Sequence, residues 1–224
     1  MVIYFVIVNT IAIYLFPGGS LYDPTLTSYS FSENFFSDLG VYETVSGEQN
    51  FLSCFLFNST LVMMGFACLS FILVPRLFKN NKISYVCATI GSYIAMLSGL
   101  SFLGVGLTPA DLYFHEHVFF VIVGFRSMVP AMVFLTLAFF FSPVSNKYTV
   151  ASVLFLLSIT IYAFFETSDP PDVSPRENLE LFKETLSYNR MVISVIAQKV
   201  ITLISFVSFF VFTYGFYQLS LIKK

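Results

Sequence analysis

The chain has 224 residues, of which 57% are hydrophobic and only 11% charged, and its formal net charge is −2 at pH 7. With a mean hydropathy of +0.82, and with soluble domains carrying about 25% charged residues, the composition excludes a soluble globular protein and indicates an integral membrane protein. The slightly acidic balance argues against a nucleic-acid partner. Three cysteines lie inside apolar runs, which favours packing over a disulfide framework; they are Cys54, Cys68 and Cys87.

The first apolar run, residues 1–16, is short for a membrane span. At about 1.5 Å per residue a helix of this length covers ~24 Å of a ~30 Å hydrocarbon core. The run has neither the basic start nor the small-residue cleavage site of a secretory signal. We therefore predict a retained, short first span that ends at Pro17.

Residues 17–50 form a long polar loop with five acids and no Lys or Arg. Within it, Ser30 and Glu33 have the spacing of a capping box, and Gly40 is a plausible helix stop. Asp38 falls on the apolar side of the short helix that these residues predict. Since a carboxylate there needs a partner or a proton, we favour a hydrogen bond to nearby backbone. The apolar side consists of Phe31, Phe35 and Leu39.

The second and third spans are predicted at about 51–77 and 83–107, with a short basic turn between them. Asn58 lies inside the second span, where it either hydrogen-bonds a neighbouring helix or binds a ligand; we favour the helix. The third span is rich in Gly, Ala and Ser, which favours close helix packing.

A helix N-terminus is predicted at Thr108, with proline next and Asp111 in the first turn. On that helix Asp111, His115 and Arg126 would share one stripe, and His117 would point away. The fourth span covers about 116–141. Arg126 lies near its middle and needs a counter-charge, for which Asp38 or Glu166 are the first choices, because a bare cation there costs at least ~2.5 kcal/mol.

The fifth span is predicted at about 148–165, with Glu166 at its end, and the last at about 191–221. The polar loop between them contains helical spacing over residues 177–188. Lys199 lies well inside the last span, so we expect it to have a protein partner.

The basic residues are segregated between alternate loops. One side would hold six of them and no acid, whereas the other would hold all 13 acids and three basic residues. By the positive-inside rule this bias predicts six spans, cytoplasmic termini and two long external loops. The expected fold is an all-α, polytopic transmembrane helical bundle that forms one domain over residues 1–224. The six basic residues are Arg76, Lys79, Lys82, Lys147, Lys223 and Lys224.

Several short motifs resemble a known family. They are FFSDLG at 35–40, Asn50, Phe57-Asn58, and GVGLTP at 104–109 followed by a histidine. The chain is similar to the six-span membrane family called domain of unknown function 998, and more distantly to the Frag1/DRAM/Sfk1 membrane proteins, some of which are tied to lipid remodelling or lipid asymmetry. The family-like positions are Asp38, Asn58, Pro109 and one histidine. His117 has Phe125 eight residues on, as in the family pattern, whereas His115 shares the stripe of Arg126. The resemblance implies a fold and a membrane setting but no activity.

These observations leave two main hypotheses. A non-enzymatic protein of the cell membrane could bind a lipid, a small amphiphile or another membrane protein in an outward-facing polar cavity, with the cytoplasmic half packed by apolar and small residues. Alternatively, a metal-dependent intramembrane hydrolase could use the histidines and aspartates, although histidines at i and i+2 diverge on a helix. A small-molecule transporter is the remaining alternative. We assign no cofactor, metal site or catalytic residue. The candidate binding residues are Asp38, Asn58, Asp111, His115, His117, Arg126, Glu166 and Lys199.

Overall fold

The computed structural model describes residues 1–168 and 172–222, and the regular structure of these residues is helical. Strands are absent from this part of the chain, and a lone β-bridge joins Glu43 to Gln49. The α-helices are α1 (Val2–Leu15), α2 (Phe51–Cys68), α3 (Lys82–Leu107), α4 (Phe114–Phe140), α5 (Lys147–Thr167), α6 (Leu179–Thr185) and α7 (Tyr188–Ile222). Two 3₁₀ helices cover Phe36–Gly40 and Leu69–Phe78.

Five helical segments are long and apolar enough to cross a membrane. They begin and end within a few residues of the predicted spans, so the length and composition of these helices define a multi-pass helical membrane protein. α1 has 14 residues and falls short of that length. The five segments are Phe51–Phe78, Lys82–Leu107, Phe114–Phe140, Lys147–Glu166 and Tyr188–Ile222.

The predicted helix start at Thr108 is wrong, because α4 begins at Phe114. The Thr108 hydroxyl donates back to the carbonyl of Gly104 at 2.9 Å, so it closes the end of α3 instead of capping α4. The N–H of Tyr113 donates to the carbonyl of Pro109 at 2.9 Å in a turn. Asp111 therefore precedes the helix and does not share a helical stripe with His115.

The short helix predicted between Ser30 and Gly40 is also shorter than expected. Only the 3₁₀ helix Phe36–Gly40 forms, and it ends at the predicted Gly40. The capping box fails because Glu33 accepts a hydrogen bond from Ser20 Oγ at 2.8 Å. Asp38 instead caps the 3₁₀ helix, since its Oδ2 accepts from the Phe35 N–H at 2.9 Å. The expected hydrogen bond to nearby backbone is confirmed.

The chain divides into two compact units. The first comprises Met1–Met64, Phe102–Val121 and Glu166–Val200. Its core packs Ala12 of α1 and Phe16, the residue after α1, with Phe57 and Leu61 of α2, and Asn9 Nδ2 donates to Thr60 Oγ1 at 3.2 Å. α1 therefore lies along the part of α2 that belongs to a candidate span. The predicted single domain stays a prediction.

The second unit comprises Gly65–Ser101, Ile122–Phe165 and the described residues from Ile201 onward. Phe139 is the centre of a ring cluster that includes Phe78 and Phe216. Small residues of α3 permit close helix contacts, as expected: Ser84 Oγ donates to the Ala138 carbonyl at 2.6 Å and Ser98 Oγ to the Gly124 carbonyl at 2.8 Å.

Candidate functional site

Asp111 is the centre of a charged hydrogen-bond cluster in the first unit. Its Oδ1 accepts from the N–H of Tyr42 and its Oδ2 from the N–H of Glu43, both at 3.0 Å. Arg176 Nη2 lies 3.2 Å from Asp111 Oδ2 and 3.2 Å from Glu43 Oε2. The Asp111 side chain is 6% exposed, whereas that of Arg176 is 43% exposed. Asp111 thus joins the turn after α3 to the loop of residues 17–50 and to the loop before α6.

Asp38 is held by groups from its own loop. Asn34 Nδ2 donates to Asp38 Oδ2 at 3.2 Å, in addition to the Phe35 N–H. Burial raises the pKa of the Asp38 carboxyl to about 6, while the hydrogen bonds from Asn34 and Phe35 and the positive charge of Lys199 oppose this rise. Asp38 is therefore a half-buried acid whose environment is polar enough to keep it largely ionised at neutral pH.

Lys199 of α7 has the protein partner that the sequence predicts. Its Nζ donates to the Asn34 carbonyl at 2.6 Å and lies 5.4 Å from the centre of the Tyr29 ring and 5.1 Å from that of Phe36. The preceding Gln198 accepts from the Phe36 N–H at 2.6 Å. Two neighbouring polar residues of α7 thus fix the backbone around the first 3₁₀ helix.

Asn58 of α2 has a neighbouring helix as its partner, as expected, but this helix is the short first 3₁₀ helix and not another span. Asn58 Nδ2 donates to the Gly40 carbonyl at 2.9 Å. A Cβ on Gly40 would lie 2.6 Å from Asn58 Oδ1, so only glycine permits this close approach. Asn50 Nδ2 donates to the carbonyls of Leu39 and Val41 at 3.1 and 2.9 Å. The start of α2 therefore satisfies the carbonyls at the end of the 3₁₀ helix.

The two histidines of α4 have different surroundings, as their predicted divergence implies. His117 is buried, and its Nδ1 is 2.7 Å from the Thr108 carbonyl. His115 is exposed, with its Nε2 4.0 Å from Glu177 Oε1. In the described part of the chain, no group of three or more His, Cys, Asp or Glu residues could hold a metal ion. The choice between the two histidines as the family-like position stays a prediction.

Glu166 and Arg126 are the other two candidate residues. Glu166 ends the α5 span, and its Oε1 is buried without a hydrogen-bond partner among the residues described. Arg126 is exposed near the middle of α4. The ion pair of Arg126 with Asp38 or Glu166 stays a prediction.

Four of the eight candidate residues thus contact the backbone of loop 17–50. They are Asp38, Asn58, Asp111 and Lys199. The sequence did not single out the residues that complete this network, namely Asn34, Gln198 and Arg176. The role of Arg176 could have been predicted from its position as a single arginine in an acidic loop, since such a cation usually has an acidic partner. The network can fix the loop.

Together, the five candidate spans and the hydrogen bonds of loop 17–50 define a multi-pass helical membrane protein with a structured polar loop. A scan against known protein families matches residues 10–178 to the family described as "Protein of unknown function (DUF998)". This match covers most of the chain, so the protein belongs to the DUF998 family. It includes loop 17–50 and Arg176 but ends before Lys199. Searches of curated proteins and of solved structures found no match.

Proposed function

We propose that this DUF998 protein is a non-enzymatic membrane protein that binds a lipid or small amphiphile with an anionic headgroup at Arg126. The observation that carries the proposal is the exposure of Arg126 near the middle of α4, a helix apolar enough to span a membrane. An arginine at that depth costs at least ~2.5 kcal/mol unless an anion or water meets it. Because Arg126 is exposed, an anionic headgroup could approach its guanidinium and lower that cost further.

The contacts of the first unit support a non-enzymatic role. Asp38, Asp111 and His117 each contact backbone groups within 3.0 Å. Groups committed to backbone are poorly placed to move a proton on a substrate, because that task needs a free acid or base beside the reacting atom. We assign these residues to holding loop 17–50. We also propose, as part of this function, that the chain is distantly related to the Frag1/DRAM/Sfk1 proteins.

The Arg126→Gln variant is expected to retain about one-fifth of the anionic phospholipid that co-purifies with the parent protein, because the loss of an ion pair worth about 1 kcal/mol corresponds to roughly fivefold in affinity. The measurement is phospholipid per protein by mass spectrometry after a detergent wash. Lys147→Gln is the matched control, since Lys147 is exposed at a helix end over the Tyr148 ring. Equal retention by the folded Arg126→Gln variant and the parent contradicts the proposal.

We also propose that α1 is a sixth span, with both ends of the chain in the cytoplasm of a cell-membrane protein. The contacts of Ala12, Phe16 and Asn9 with α2 support this topology, as does the charge bias. Lys223 and Lys224, which contribute to that bias, lie outside the described residues. Loop 17–50 and the loop before α6 are then external.

Cysteine labelling tests this topology in a background in which Cys54, Cys68 and Cys87 are replaced by alanine. Asn80→Cys is expected to be protected from an impermeant thiol reagent in intact cells, whereas Asp172→Cys is expected to react. Both residues are exposed, so protection reports the side of the membrane. Labelling of both after permeabilisation is the control. If only Asn80→Cys reacts in intact cells, the orientation in the membrane is the opposite of the proposed one.

A further inference from the structure

A cavity of about 150 Å³ lies in the second unit, between the second 3₁₀ helix and α3. This helix, Leu69–Phe78, runs for ten residues and contains Pro75. Runs of 3₁₀ helix longer than three or four residues are uncommon, and a proline lacks the N–H that an α-helix uses there. The sequence predicts a cytoplasmic half packed by apolar and small residues, and that stays a prediction. The walls are Ile72, Pro75, Arg76, Lys79, Tyr85, Thr89, Ser92, Tyr93 and Met96.

The tight helix separates the apolar and charged walls of the cavity. In a 3₁₀ helix residues i and i+3 lie one above the other. Ile72 and Pro75 therefore form one row, and Arg76 and Lys79 form the next. Lys79 follows the helix with helical backbone angles (φ −65°, ψ −12°), so it continues the row. The two cations lie at the end of the Phe51–Phe78 span, where a membrane presents its headgroups.

The cations of this row are uncompensated. Arg76 and Lys79 are exposed and form no ion pair or side-chain hydrogen bond within residues 1–168 and 172–222. Two like charges three residues apart repel each other, so an anion between them would be stabilised by both.

Ser92 provides an independent sign of a ligand. It is 1% exposed, lines the cavity, and its Oγ has no hydrogen-bond partner. A helical serine or threonine ordinarily donates to the carbonyl four residues earlier. Thr89 does so to Tyr85 at 2.8 Å and Ser101 to Leu97 at 3.0 Å. A buried hydroxyl without a partner costs about 1–3 kcal/mol, and an oxygen acceptor in the cavity would remove that cost.

From these observations we infer that the cavity binds the phosphate of an anionic phospholipid, with Arg76 and Lys79 on the phosphate and Ser92 donating to an oxygen deeper in the cavity. The ligand is amphipathic because the walls change from charged at Lys79 to apolar at Ile72 and Met96. The exposed Tyr85, near the start of α3, suits the headgroup level, whereas the exposed Tyr93 lies deeper along the same helix. This site is separate from Arg126 and does not depend on lipid binding there.

The chain contains no tryptophan, which gives a direct test. A Tyr93→Trp variant carries a single indole at the cavity. It is reconstituted in phosphatidylcholine vesicles with increasing brominated phosphatidylglycerol or brominated phosphatidylcholine, whose bromine quenches tryptophan on contact. The expected result is preferential quenching by phosphatidylglycerol. The preference should fall roughly fivefold for each of Arg76→Gln and Lys79→Gln.

Two further variants and one competitor complete the test. Lys82→Gln removes a cation of the same turn that does not line the cavity, and it is expected to keep the preference. Ser92→Val fills the cavity without changing the charge, and this variant is expected to have a weaker preference for phosphatidylglycerol. Equal quenching by the two lipids, or an equal loss in Lys82→Gln, overturns the proposal. Loss of the preference on adding millimolar inorganic phosphate overturns the assignment to a lipid and shows a site for free phosphate. An unchanged result in Arg126→Gln separates this site from Arg126.

Discussion

The Asp111→Leu variant is expected to expose the backbone amides of Tyr42 and Glu43 to hydrogen exchange about 100-fold faster than in the parent. Leucine leaves two N–H donors and Arg176 without the carboxylate that all three contact. A hydrogen bond to a charged group contributes about 1.5–3 kcal/mol, and partial exposure of Arg176 reduces the share of the ion pair. A net loss of about 3 kcal/mol for opening this part of loop 17–50 corresponds to the expected rate change. Exchange measured by mass spectrometry on the detergent-solubilised protein reports it.

The matched control for Asp111 is Glu43, which contacts the same arginine from the surface. Both Arg176 and Glu43 are more than 40% exposed in this pair, with side-chain values of 43% and 47%. Exposed ion pairs contribute about 0–1 kcal/mol, so Glu43→Gln should change amide exchange less than fivefold. Equal rates in the parent and in Asp111→Leu would show that the loop is held by other contacts.

The membrane-spanning helices could be predicted from sequence because their cause is local. A run such as Lys82–Leu107 is predominantly apolar and long enough to cross a membrane, so the polar segments on either side define its ends. Lys199 was also predictable, since a lysine far from the end of an apolar helix needs a partner wherever that partner lies. Both predictions rest on the free-energy cost of placing polar or charged groups in a membrane.

The contacts of loop 17–50 could not be predicted because they join residues far apart in the chain. Local rules gave Thr108 a helix-capping role and Glu33 a place in a capping box, but each makes a different contact. Asn58 has a loop carbonyl as its acceptor, 18 residues away in sequence. Tyr22 donates to the carbonyl of Leu186 at 2.9 Å. A side chain in a polar loop has many possible hydrogen-bond partners, and the tertiary structure determines which of them lies close enough.

Asp38 gives the second large effect, a dependence of stability on pH that Asp38→Asn should remove. Burial raises the pKa of Asp38 to about 6 in the folded protein from the usual 3.8. Between these values the folded protein binds more protons than the unfolded chain. The stability that Asp38 contributes is therefore fully present below pH ~4 and is lost as pH rises through about 6. A shift of about two units corresponds to about 3 kcal/mol.

The quantity to measure is the difference in unfolding free energy between the parent and Asp38→Asn, in detergent, at several values from pH 4 to pH 7. Taking the difference removes the titration of the other carboxylates, which Asn does not alter. Lys199 stays charged across this range, and Tyr29, whose pKa burial raises further, stays neutral. Relative to the variant, the parent should lose roughly 2–2.5 kcal/mol between pH 4 and pH 7, since part of the full effect has already occurred at pH 4. Asp23→Asn is the control in the same loop: hydrogen bonds from Thr25 lower the pKa of the exposed Asp23, so its removal should act weakly and in the opposite direction. A parent that gains stability over Asp38→Asn as pH rises would mean that Lys199 and the Asn34 and Phe35 hydrogen bonds outweigh burial, and that Asp38 is held chiefly as an anion.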